Sequence, residues 1–140
     1  MAAFAATDYS IVYNGVDLSS YDKSLTLNID HEDLDTTGMG TTNNSFHTRI
    51  SGLKDWSGSL EFVQDFAAGA VDATLSSAAF AQTSGYTLTV KPTSSAVGAG
   101  NPRYFGSVLV KYNPFGQTVG DLGMAKVDFV GAGALTRATT

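Results

Sequence analysis

The stretch from Arg49 to Phe66 constrains this chain more than any other. From Trp56 to Val63 the residues alternate, with Trp56, Gly58, Leu60 and Phe62 on one side and Ser57, Ser59, Glu61 and Val63 on the other. A period of two sends successive side chains to opposite faces of a strand, so this strand has one buried face. Asp65 then stands where a helix N-cap belongs, ahead of the alanine-rich run Phe66 to Leu75, which predicts a short helix. Val71 and Leu75, four apart, would face the sheet, and Ala67, Ala78 and Ala79 would permit close approach. Trp56, Phe62 and Phe66 read as a core nucleus where strand meets helix, rather than as the lining of a ligand pocket.

The rest of the chain is β-rich. Tyr9 to Tyr13 and Val16 to Leu18 flank Asn14-Gly15, the pair that a type I′ hairpin turn demands. A second strand runs from Ser24 to Asp30, with Leu25, Leu27 and Ile29 on its buried face. His31 to Ser45 is the longest irregular stretch, filled with polar turn-formers and two glycines. Loops longer than about 12–15 residues are uncommon in compact domains and are usually functional or disordered. Phe46 to Ile50 resumes a strand and Trp56 to Gln64 is the next. Gly85 to Lys91 and Arg103 to Tyr112 should pair across a flexible loop at residues 93–102. Leu122 to Val130 and a short edge strand through Leu135 complete about seven strands and one helix. The expected fold is mainly β: two packed antiparallel sheets, as a sandwich or small barrel, with one flanking short α-helix. Residues 1–140 read as one domain, with residues 1–8 as an N-terminal arm that has no partner of its own.

Charge excludes one class of function. The net charge is −5, and the eight basic residues are scattered, so the chain is not built to grip phosphates. An acidic surface repels DNA. Charged residues are only 15% of the chain, against a typical value of about 25%, and a polar but sparsely charged surface suits self-association. There are no cysteines, hence no disulfide framework, thiolate nucleophile or zinc ribbon. Met1 to Ala6 has no basic residue and no long apolar run, which argues against a signal peptide, and no segment approaches the roughly 20 apolar residues of a membrane span.

Reactive signatures are missing as well. Asp33, Asp35, Thr37 and Gly38 match the opening of a calcium-binding EF-hand loop, but the twelfth position is Asn44, where a bidentate Glu belongs. His31 and His47, near Glu32 and Asp33, read as ordinary polar contacts and not as metal ligands. Ser57-Gly58-Ser59 lies mid-strand with no histidine placed to activate a serine. Gly38-Met39-Gly40 and Gly131-Ala132-Gly133 fail the dinucleotide-binding pattern. Neither an enzyme nor a cofactor is expected.

The order of elements carries a resemblance. The hairpin segment Asn14-Gly15-Val16-Asp17-Leu18-Ser19-Ser20-Tyr21, the strand Ser24-Leu25-Thr26-Leu27-Asn28, and the block from Arg49 to Leu60 resemble the tail tube (major tail) proteins of long-tailed bacteriophages. The closing pattern Pro114-Phe115-Gly116, Gly120-Asp121-Leu122, Val127-Asp128-Phe129 and Gly131-Ala132-Gly133 is similar too. The likeness covers Val12 to Thr136 and rests on packing and turn motifs. It implies a structural virion protein whose six-membered rings stack into a hollow tube, a conduit for DNA ejection. Inner sheets of neighbouring subunits would join around the lumen. The implied partners are further copies of the chain, the tape-measure, tail-terminator and baseplate or tip proteins, and DNA in transit without specific binding. The implied location is the phage tail, after synthesis in the host bacterial cytoplasm. Other virion β-proteins (head decoration or tail terminator) and a small-ligand-binding β-barrel are the competing readings.

The resemblance assigns residues 31–45 to contacts with neighbouring subunits and the next ring, through Glu32, Asp33, Leu34, Asp35, Thr37, Met39, Thr41, Asn43 and Asn44. A lumen that lets DNA slide should be polar and net negative. The strand faces that fit are Ser24, Thr26, Asn28 and Asp30, together with Ser57, Ser59 and Glu61. Lys91, Lys111 and Lys126 are expected outside, or at subunit contacts in ion pairs.

Overall fold

Asn14 and Gly15 both adopt positive φ, 51° and 79°, and so close the type I′ turn between β1 (Ser10–Tyr13) and β2 (Val16–Asp17). The computed structural model describes residues 3–39, 46–81 and 86–140. After a 3-10 turn at Ser19–Tyr21 come β3 (Asp22–Asp35), β4 (Arg49–Val63), α1 (Val71–Ala81), β5 (Tyr86–Lys91), β6 (Arg103–Asn113), β7 (Met124–Gly131) and β8 (Thr136–Ala138). All pairings are antiparallel, in the order β2-β1-β5-β6-β7-β4-β3. β8 lies along the same edge of β6 as β7, opposite Arg103 to Phe105, so β7 and β8 flank a short interruption.

The chain is therefore mainly antiparallel β with one short helix among the described residues. The expectation of two separate sheets is met only in part, because the ladders join every strand into one sheet. One core nevertheless unites Ile11 and Tyr13 of β1 with Leu60 and Phe62 of β4, strands far apart in the sheet order. Val71, Leu75 and Ala78 of α1 close over it. The sheet must bend around its own core for these side chains to meet.

Three boundaries differ from the sequence expectation. The irregular stretch does not begin at His31: β3 continues to Asp35, and β4 starts at Arg49 and runs unbroken to Val63 instead of in two pieces. Cross-strand pairing from Asp30↔Asp55 to Asp35↔Arg49, broken only by a bulge between His31 and Asp33, outweighs the polar composition that reads as loop. The helix starts at Val71, not near Phe66, because Asp65 uses its carboxylate in a turn, accepting from the Ala67 N–H at 2.9 Å. Phe66 is accordingly exposed and stacks on Phe115, outside the core nucleus of Trp56 and Phe62.

The β5–β6 pairing is as expected from Tyr86 onward, while Gly85 lies outside the described residues. Residues 93–102 are organised by Asn101, which is buried. Its Oδ1 accepts from the Thr93 N–H, and its Nδ2 donates to the Ser95 and Ala96 carbonyls. The N-terminal arm also has a partner, since Asp8 accepts hydrogen bonds from the Ser94 N–H and hydroxyl.

Candidate assembly surfaces

The strand alternation builds one continuous polar face. Ser24, Thr26, Asn28 and Asp30 of β3 stand opposite Glu61, Ser59, Ser57 and Asp55 of β4. Glu61, Ser59 and Ser57 stand opposite Lys126, Asp128 and Val130 of β7, which oppose Asn113, Lys111 and Leu109 of β6. Directly opposed residues of an antiparallel ladder share a face. All seven residues expected on a lumen wall therefore lie together, on the side away from the core residues Leu60, Phe62, Val127 and Phe129. Sequence reasoning missed Asp55, Asp128 and Asn113 on this face. The buried alternation of Ala125, Val127 and Phe129 was the signal that pointed to the intervening Lys126 and Asp128.

Lys111 and Lys126 stand on this same face, beside the residues expected to line a lumen. Lys126 does form an ion pair, with Glu61 at 3.5 Å. With Asp30, Asp55, Glu61 and Asp128 against Lys111 and Lys126, the face still carries a net charge of −2. Lys91, on β5, donates to the Ser95 carbonyl.

Beyond Ser57↔Val130, β4 pairs only with β3, leaving a two-stranded ribbon. From Arg49 to Trp56 it projects roughly 23 Å, at about 3.3 Å per residue. A bulge between His31 and Asp33 interrupts its register. Glu32, Asp33, Leu34 and Asp35 are strand residues on this ribbon; Thr37 and Met39 follow it, and all six are exposed. Thr41, Asn43 and Asn44 lie outside the described residues. The ribbon end is tied by Thr37, whose N–H donates to Asp35 Oδ1 and whose hydroxyl accepts from the Thr48 N–H, both at 2.8 Å. Hydrogen bonds to Asp35 from the Thr37 hydroxyl and N–H, with His47 3.2 Å away, hold its carboxyl below the usual range. No cluster of His, Asp and Glu side chains that could hold a metal ion occurs among the described residues.

The opposite end of the strands carries a different surface. The residues after β4 and the 114–123 connection lie side by side there, with the Gln64 N–H donating to the Gly123 carbonyl and its side chain to the Pro114 carbonyl. Phe66 and Phe115 stack across them with centroids 5.6 Å apart. Tyr112 anchors this end, donating to Asp72 and accepting from Gln64, and burial raises its phenol pKa to about 12. Asp22, at the start of β3, has its pKa raised to about 6 by burial.

No family model matches the sequence, and no curated protein matches it significantly. Solved structures do. A chain from the tail of an empty gene transfer agent (GTA) particle, with C6 symmetry, is 12% identical and superposes with a TM-score of 0.74, over 97% of this chain and 99% of that one. A chain of the sheath–tube complex of an extracellular contractile injection system, PVC, in its extended state is 9% identical, with a TM-score of 0.68 over 99% and 93%. A chain of the anti-feeding prophage tube-terminating cap is 10% identical, with a TM-score of 0.71 over 100% and 93%. At these identities the likeness is one of fold. No helix among the described residues is long and apolar enough to cross a membrane. Along nearly its whole length, this chain has the fold found in those tail, tube and cap assemblies.

Proposed function

We propose that this chain, as a single tail-tube-like domain over residues 1–140, is a structural subunit whose six-membered rings stack into the tube of a phage-type tail. The observation that carries the proposal is its full-length fold match to a chain from a tail with C6 symmetry. Its own surfaces fit the role. β3 is 14 residues long and pairs only with β4 among the described residues, leaving the kind of edge that invites strand addition from a neighbour. The polar, net-negative face from Ser24 to Asp30 and from Asp55 to Glu61 suits a lumen wall, along which DNA slides without a run of phosphate contacts. The ribbon with Glu32, Asp33, Leu34 and Asp35, continuing through Thr37 and Met39 toward Thr41, Asn43 and Asn44, is the contact to neighbouring subunits and the next ring.

Its partners are then copies of itself, the tape-measure protein, the tail-terminator and the baseplate or tip proteins. Its place is the virion tail, after synthesis in the host bacterial cytoplasm. The role requires no catalysis and no cofactor. The cap match favours one alternative, a terminator ring. Negative-stain microscopy of concentrated, purified protein separates the readings. Stacked rings or tubes of indefinite length are expected; single rings would favour a terminator, and discrete monomers would overturn both.

A further inference from the structure

The ribbon and the Phe66–Phe115 stack lie at opposite ends of the same strands. β4 runs from Arg49 at the ribbon end to Val63, and the chain enters the aromatic end immediately after it. Each end exposes large apolar side chains. On the ribbon, Leu34 and Ile50 are directly opposed and so share a face, and Leu53, at the bulge, is 76% exposed. At the other end Phe115 is also 76% exposed and stacks on Phe66, and Leu122, in the same 114–123 connection, is exposed as well.

Polarity along β3 changes abruptly at the bulge. Ser24, Thr26, Asn28, Asp30 and Glu32 occupy one face, and the next residue on that face is Leu34. A bulge increases local twist and re-aims the strand, so the surroundings change where the side chains do. A two-stranded ribbon is marginally stable in water, and exposed apolar patches of several hundred Å² mark contact sites.

Resting on the stacked-ring reading above, we propose that the apolar face of the ribbon docks on the Phe66–Phe115 shelf of a second copy of this chain in the adjacent ring. Two different patches at opposite ends make a heterologous, head-to-tail contact, the kind that propagates a filament without closing. The six side chains named would bury on the order of 700 Å² of apolar surface. That is the larger part of the ~1,000 Å² expected of a specific interface. The contact recurs for every subunit in a ring.

The chain has no cysteine, which gives a clean background for cross-linking. Combining Ile50→Cys with Phe115→Cys in one full-length chain should, on mild oxidation, yield a ladder of covalent oligomers well beyond the dimer. Either single variant should stop at the dimer. Ile50→Cys with Phe80→Cys, which uses a still more exposed helix position, should not form the ladder. Tubes in the micrograph with no ladder, or the same ladder from the Phe80 pair, would overturn the docking and leave the tube reading standing. A ladder from protein that never forms rings would uphold the head-to-tail contact and overturn the ring reading instead.

Discussion

The indole Nε1 of Trp56 donates a 2.7 Å hydrogen bond to the backbone carbonyl of Gly133, 77 residues along the chain. Trp56 is the ribbon residue next to Ser57, where the pairing of β4 with β7 ends, and Gly133 lies in the interruption between β7 and β8. The bond therefore fixes the root of the ribbon to the body. The ring fits only because its neighbours lack side chains: a Cβ on Gly131 would fall 2.2 Å from Nε1, and one on Gly106 would fall 2.7 Å from the ring.

Gly131→Ala should accordingly be severely destabilising for its size. Overpacking a filled site costs about 1–3 kcal/mol, and here the clash is with a rigid indole. Trp56→Phe keeps an aromatic ring but removes the donor to Gly133, at a cost of about 1–3 kcal/mol from the lost bond and the space left behind. Urea unfolding followed by circular dichroism measures both as a fall in midpoint at constant slope. An unchanged midpoint for Gly131→Ala would show that the Trp56 site can relax.

Asp22 predicts a pH dependence of known sign. Burial raises its pKa to about 6 from the usual 3.8, and one carboxylate oxygen lies buried without a hydrogen-bond partner. The folded state thus binds the proton more tightly than the unfolded state. Its stabilising contribution is complete below about pH 4 and is lost as pH rises through 6. Solvent access reduces the effect to about 1 kcal/mol. Asp22→Asn should raise the urea midpoint at pH 7.5 and leave it nearly unchanged at pH 4. A variant whose pH profile between 4 and 7 superposes on that of the parent would assign the slope to other groups.

Period-two patterning makes the core legible in the sequence. Leu60 and Phe62 on β4, and Val127 and Phe129 on β7, point where their spacing says they should. The same logic gathers Ser24 to Asp30 and Ser57 to Glu61 onto one face, because a two-residue repeat leaves no other choice once the core side is set. Composition fails at His31 to Asp35, where charged residues read as loop. A ribbon solvated on both faces has no apolar alternation to announce it, and only the cross-strand ladder to β4 defines it. The Phe66–Phe115 stack is illegible for a different reason: it joins residues 49 positions apart in two irregular segments, where no periodicity operates.

The assembly role proposed for the ribbon is separable from its part in folding. Leu34→Ser combined with Ile50→Ser alters two exposed residues that lie outside the core, so the unfolding midpoint should shift by no more than about 0.5 kcal/mol equivalent. Pelleting of assembled material should fall strongly. Tubes of normal yield and length from this variant would remove the ribbon from ring stacking.

The polar face offers the sharpest test of the proposed conduit. Glu61 pairs with Lys126 at 3.5 Å, an exposed contact of the kind that contributes about 0–1 kcal/mol, so losing it should not unfold the subunit. Ser57→Lys adds one positive charge and Glu61→Lys reverses another, a swing of about three units per subunit that turns the face from net negative to net positive. On the lumen wall, that change would line every ring with lysines facing the phosphates. Each neutralised phosphate adds a salt-dependent binding term, and DNA that slid freely would be retained. Rings and tubes should form as before, while particles carrying the double variant eject their DNA slowly or not at all, with the block relieved by raised salt. If the face points outward, ejection would be normal, and the new lysines would instead bind DNA added outside the tube. Normal ejection with external binding would move the polar face from the lumen to the outer wall.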